Sequence, residues 1–209
     1  MQTFLPYADF EQSARVLDPR RLGKQRVEVI QVVRALTWPG YGWAHHPAVL
    51  MWKGYEEALG SYGLTCCRVW TELGHGDTCA ATIAADLGSS GVGRIRAQRE
   101  LADASALPDW LGDADLHLSH QSSLLRKDPD WYAPLFPGVS AELPYRWPVR
   151  SQNVVDAEQR KAELAVIREE RAAARAVQEA ERARRRRSQA AKRGWKSRRA
   201  ALKRPRADS

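Results

Sequence analysis

No run of 18 apolar residues occurs anywhere in this chain of 209, so a membrane-spanning helix is excluded. The opening Met1-Gln2-Thr3-Phe4-Leu5-Pro6 lacks the basic flank and apolar stretch of a secretion signal, so none is expected. Cysteine is scarce and odd in number, with Cys66, Cys67 and Cys79 free of any C-x-x-C spacing. That argues against a disulfide framework and a zinc knuckle, and suits buried thiols in a reducing cytoplasm. Period-two alternation of apolar and polar residues is also missing, which points to an all-α fold. The glycine-rich stretch 88–93 follows no strand and ends without G-K-[ST], so it does not read as a phosphate cradle.

What the chain does have is a charge split. Residues 1–150 carry 15 Lys/Arg against 17 Asp/Glu, a net of −2, while residues 151–209 carry 18 against 8, a net of +10. Seven of the eight tryptophans lie in the first part, which can therefore build a core; the second part cannot. The expected organisation is a compact single helical domain over 1–150 and a basic Ala/Arg/Glu-rich tail over 151–209, helical or disordered. Arg184, Arg185, Arg186 and Arg187 form one basic run. Lys192, Arg193, Arg198 and Arg199 surround Trp195 in a second. Cations with an interleaved aromatic suit a phosphate backbone with occasional base stacking.

The most patterned stretch is 19–36. Leu22, Val29, Val33 and Leu36 fall on one face of a helix, Asp18 is placed to cap it, and Pro19 suits its first turn. The other face carries Arg21, Lys24, Gln25, Glu28 and Gln31, so a single carboxylate sits on a cationic and amide strip. A solvated face with a weak Lys24–Glu28 pair is the plain reading of that strip. Around it, the pattern predicts a short helix over 9–17 and a long one over 47–72, kinked or broken at Gly60 and Gly63. A third helix is predicted over 78–87, and another from about 114 to 126 that Pro129 stops. Trp131 and Tyr132 are expected to dock on the core, and the prolines after them to lead the chain out over the surface. The loop 37–47 holds Trp38, Tyr41 and Trp43, suited either to covering the core or to stacking on flat ligands. His45, His46, His117 and His120 could converge on a metal, a minor reading beside packing or capping roles.

Three stretches carry a likeness to a known family. They are Leu22-Gly23-Lys24-Gln25-Arg26-Val27-Glu28, then His46-Pro47-Ala48-Val49-Leu50-Met51-Trp52 with Tyr55 to Leu59, and then Ser119 to Tyr132 with its Leu/Lys/Pro/Trp-Tyr pattern. In these the chain resembles the pyrimidine-dimer DNA glycosylases, typified by phage endonuclease V, from residue 1 to about 136.

The resemblance implies an all-helical domain that cleaves N-glycosidic bonds at damaged duplex DNA and then cuts the strand at the abasic site. In that family the N-terminal α-amine attacks C1′ to form a Schiff base, and a glutamate assists. The matching catalytic positions are Met1 and Glu28, with Arg21, Lys24, Gln25 and Arg26 as DNA-binding neighbours. An α-amine titrates near about 7.7–8.0, so a useful fraction is neutral and nucleophilic at physiological pH. No metal and no small-molecule cofactor is implied, and the expected protein is a monomer in the cytoplasm, associated with the nucleoid. The chain departs from the family pattern where Gln2 follows Met1 in place of a mature N-terminal Thr. It departs again at Val27 and Gln31, where arginines flank the family's glutamate. A non-catalytic nucleic-acid-binding protein that keeps the fold is the alternative.

The charge split makes the tail the main source of non-specific affinity. Deleting residues 151–209 is expected to leave the melting temperature nearly unchanged, weaken DNA binding and flatten its salt dependence. Equal salt slopes for the full and shortened proteins in a titration would refute this.

Overall fold

The computed structural model describes residues 1–148, 164–169, 172, 173, 175 and 195. Its contacts group the chain into Met1–Ser151 and Gln152–Ser209. Within the first group the elements are α1 (Phe10–Val16), α2 (Pro19–Thr37), α3 (Pro47–Leu50), α4 (Glu56–Glu72), α5 (Cys79–Ser89), α6 (Gln98–Asp103), α7 (Ala114–Lys127) and α8 (Pro129–Tyr132). The described residues contain helices and no strand. None of those helices is long and apolar enough to cross a membrane. Of the second group, residues 164–169 are helical and exposed, and Trp195 is exposed. The basic positions Arg184, Arg185, Arg186, Arg187, Lys192, Arg193, Arg198 and Arg199 lie outside the described residues.

Helix α2 is the hub, packed on α3, α4 and α5, with α1 lying across α4. Its start follows the sequence signals: the Asp18 carboxylate accepts from Arg21 N–H and Pro19 occupies the first turn. Leu22, Val29, Val32 and Val33 are fully buried, against Leu59, Tyr62 and Cys66 of α4 and Ile83 and Leu87 of α5 in the same core. The strip opposite is only in part the solvated face that spacing suggests: Lys24 is exposed, but Gln25 and Glu28 are buried, as is Arg26 beside them. The N-terminal segment covers Gln25 and Glu28, and Trp70 and Asp77 cover Arg26, while Arg20, Lys24 and Val27 stay exposed.

The long helix expected over 47–72 is two helices. Its break falls at 51–55, where Gly54 takes φ +85° and the turn sends both Met51 and Trp52 into the core. Gly60 and Gly63 instead sit inside α4, and their missing side chains set its distance from its neighbours. A Cβ on Gly63 would lie 2.6 Å from Val29 Cγ1 and 2.9 Å from Ile83 Cδ1. Helix α6 escaped the periodicity reading, being six residues long with one fully buried position, Leu101.

Only one of the docking pair behaves as expected. Tyr132 is fully buried, with its hydroxyl 2.5 Å from Asp18 Oδ2, whereas Trp131 is 44% exposed and only its indole N–H reaches back, to Val16 O. Neighbours in a helical turn point in different directions, so burying one ring turns the other outward. Beyond them the chain does not simply run out over the surface: Phe136 is buried, and Tyr145 stacks on His120 with centroids 4.6 Å apart.

Gly63→Ala gains about 1 kcal/mol of helix propensity but forces α4 away from the stiff Val29 side chain. A net loss of about 1–3 kcal/mol in chemical denaturation is expected. Gly60→Ala should cost less, because its closest neighbour is the movable tip of Leu87.

Candidate active site

The N-terminal segment has no secondary structure, yet it is covered, so its backbone polar groups need partners. Side chains supply them one after another. Gln2 N–H donates to Glu28 Oε2 at 3.0 Å, and Gln25 Nε2 donates to Gln2 O. Phe4 N–H donates to Gln25 Oε1 at 2.8 Å, while the Tyr62 hydroxyl donates to Phe4 O at 2.7 Å. Leu5 N–H donates to His120 Nδ1, its carbonyl is 2.8 Å from His117 Nδ1, and Gln121 Nε2 donates to Pro6 O. Thr3 is held through its hydroxyl, which accepts from the Trp52 indole N–H.

The two histidines carry opposite tautomers, as their partners require. His117 Nε2 accepts from Gly112 N–H, so its Nδ1 carries the proton and donates to Leu5 O. His120 Nδ1 accepts, so its proton lies on Nε2, a buried atom with no hydrogen-bond partner among the described residues. Burial, reinforced by His117, pushes the His120 imidazole down to about 3.

This clamp delivers the Met1 amine to within 3.8 Å of Glu28 Oε2, with both side chains almost fully covered. Lys24 Nζ approaches Glu28 Oε1 at 3.3 Å from the exposed side. A cleft of about 400 Å³ opens on this pair. Arg20, Arg21, Lys24 and Lys127 line it, and Glu28 is the one carboxylate among its lining residues. Arg21 is fixed by Asp18 at 2.6 Å and by the Lys127 carbonyl at 2.9 Å. Asp18 is buried, which would raise its pKa, but hydrogen bonds from Arg21 and Tyr132 hold it below the usual carboxylate range. Burial, together with the cationic neighbours Arg21, Lys24 and Arg126, lowers the pKa of Lys127.

Of the residues expected at the site, Met1, Arg21, Lys24, Gln25 and Glu28 meet at this cleft. Gln25 does so as a buried clamp on the backbone rather than as an exposed contact. Arg26 points elsewhere: it pairs with Asp77, its guanidinium lies 4.2 Å from the Trp70 ring, and it does not line the cleft. Arg20 and Lys127 went unnoticed in the sequence. The first is one more arginine in the first turn of α2, and the second reaches the cleft from α7, over a hundred residues away. The histidines do not form a metal centre. His46 caps α3 through Nδ1, His117 and His120 hold Leu5, and no group of three or more His, Cys, Asp or Glu among the described residues could hold an ion.

An amine beside a carboxylate in a cation-lined cleft suits attack on a sugar flanked by phosphates. Residues 1–82 match the pyrimidine dimer DNA glycosylase family. The match takes in the N-terminal segment, Glu28 and α1 to α4, and stops before His117, His120 and Lys127. The family is one of DNA repair glycosylases, so its substrate class is DNA. No curated protein and no solved structure matches the chain.

His120 makes the clamp sensitive to acid. Its folded pKa of about 3 lies below the ordinary histidine value of 6.5, so the unfolded chain takes up a proton that the folded chain refuses. Its contribution is complete above about pH 6.5 and is lost as pH falls, by at most about 1.4 kcal/mol per pH unit, until the loss levels off near about 3. Asn at this position can still accept from Leu5 N–H but does not titrate. Urea denaturation near pH 7 and near pH 5 is therefore expected to show a smaller drop for His120→Asn than for the parent; equal drops would contradict the assignment.

Proposed function

We propose that this protein is a DNA glycosylase with abasic-site lyase activity, with the Met1 amine as nucleophile and Glu28 as its partner. The supporting observation is the placement of that amine 3.8 Å from the Glu28 carboxylate, in a cleft lined by four cations. The neutral amine attacks C1′ of the deoxyribose, and the N-glycosidic bond breaks with its electron pair leaving on the base. Glu28 stabilises the oxocarbenium-like charge at C1′ and takes the proton released from the amine. Ring opening gives a Schiff base between the amine and C1′. Removal of a C2′ proton then expels the 3′ phosphate by β-elimination, and water releases the enzyme. Arg21 and Lys127 bind phosphates on either side of the sugar, and Lys24 offsets charge at the open edge. The basic tail supplies non-specific attraction to the duplex, which a domain of net −2 lacks.

Glu28→Gln keeps size and hydrogen bonding but removes the charge. It is expected to cut base excision by about 100-fold or more while leaving duplex binding and folding nearly intact. Acetylation of the N-terminal amine is expected to abolish borohydride trapping on an abasic-site duplex. If capped and Glu28→Gln proteins process such DNA as well as the parent, the assignment fails and a non-catalytic DNA-binding protein takes its place.

A further inference from the structure

The loop between α2 and α3 has no lysine or arginine, but it holds the most exposed large aromatic of the domain. Trp43 is 63% exposed and sits at φ +74°, a left-handed conformation that a bulky residue rarely adopts. Strain of this kind is kept where the surrounding structure insists on it, often at a binding site.

Trp43 is the outer end of a ladder of rings. It lies edge-on to His46 at 5.7 Å, His46 lies edge-on to Trp147 at 5.7 Å, and Trp147 meets Tyr145 at 4.6 Å. Tyr145 stacks on the buried His120, and its hydroxyl donates to Thr3 O at 3.4 Å. The inner rungs are thus tied to the segment that carries the nucleophile. The other exposed tryptophan of this loop, Trp38, already has Arg34 over its ring at 4.7 Å and Tyr41 at its edge. For Trp43, His46 is the only ring contact among the described residues.

We propose that Trp43, backed by His46 and Trp147, is a stacking platform for a nucleobase turned out of the duplex. The proposal rests on the glycosylase reading for why a base would be unstacked there. Division of labour supports it: the cleft offers cations for phosphates, and the loop offers an uncharged π face for a base. An apolar aromatic contact is tolerant of base identity, so the platform would recognise the unstacked state rather than a sequence.

The test uses the full chain and two short duplexes of one sequence. One is undamaged, and the other carries a tetrahydrofuran abasic analogue opposite 2-aminopurine. Trp43→Ala is expected to weaken binding to the analogue duplex by about tenfold, the loss of one stacked base, with undamaged duplex affected less than about twofold. Trp43→Phe should retain most of the affinity. The 2-aminopurine emission, quenched by stacking in the parent complex, should brighten with Trp43→Ala. Unchanged affinity, or an equal loss on both duplexes, overturns the platform. So does Trp43-dependent self-association in sedimentation without an effect on DNA, which would assign the loop to a second copy. Borohydride trapping on the same proteins separates the two proposals. A parent that traps, with Trp43→Ala binding like the parent, sinks the platform alone. A parent that never traps sinks the catalytic reading, while a lesion-selective loss in Trp43→Ala would leave the platform standing.

Discussion

A buried backbone without a helix or sheet to pair with must find its hydrogen bonds among side chains, and residues 2–7 live under that constraint. Gln25, Tyr62, His117, His120 and Gln121 meet it from α2, α4 and α7. Each clamp residue serves packing and chemistry together. Gln25 fills a core position, but its amide is oriented by the backbone it holds, and that backbone carries the amine to Glu28. Losing one partner would leave a buried polar group unsatisfied and free the very segment whose position matters.

The electrostatics of the domain are local rather than global. Its net charge of −2 suggests a poor surface for DNA, yet many of its carboxylates are already spoken for. Glu11 and Glu72 are shared between Arg15 and Arg68, Glu57 takes the Arg96 guanidinium at two points, and Asp77 neutralises the buried Arg26. The cleft is where cations outnumber acids, four to one among its lining residues. A phosphate at the cleft would respond to that arrangement at a few ångströms more than to the sum over the chain.

The aromatic residues divide into two populations for a related reason. Phe10, Trp52, Tyr62 and Tyr132 are fully buried, and Trp52 and the two tyrosines each place their polar atom against a partner. Trp43 and Trp131 keep large exposed areas. Sequence position does not sort the two, since Trp131 and Tyr132 are neighbours with opposite fates.

Much of the local structure was legible in the chain itself. The capped start of α2, its apolar stripe, the Pro129 stop after α7 and the helical class follow from backbone geometry and short-range periodicity, which act within a few residues. Glu28 stood out as the lone carboxylate on its strip, and the motif around it pointed to the family that residues 1–82 match. The tertiary structure alone decided that Gln25 and Glu28 of this strip are buried, because the covering segment comes from residues 1–6. It alone decided that α3 and α4 part at 51–55, where burying Met51 and Trp52 outweighs helix continuity. It also turned Arg26 away to Asp77, brought Lys127 in from α7 and made His117 and His120 clamps rather than ligands. Those outcomes depend on groups 50 to 120 residues apart in sequence meeting in one place. No local pattern encodes that, because the energy lies in the contact and not in either partner.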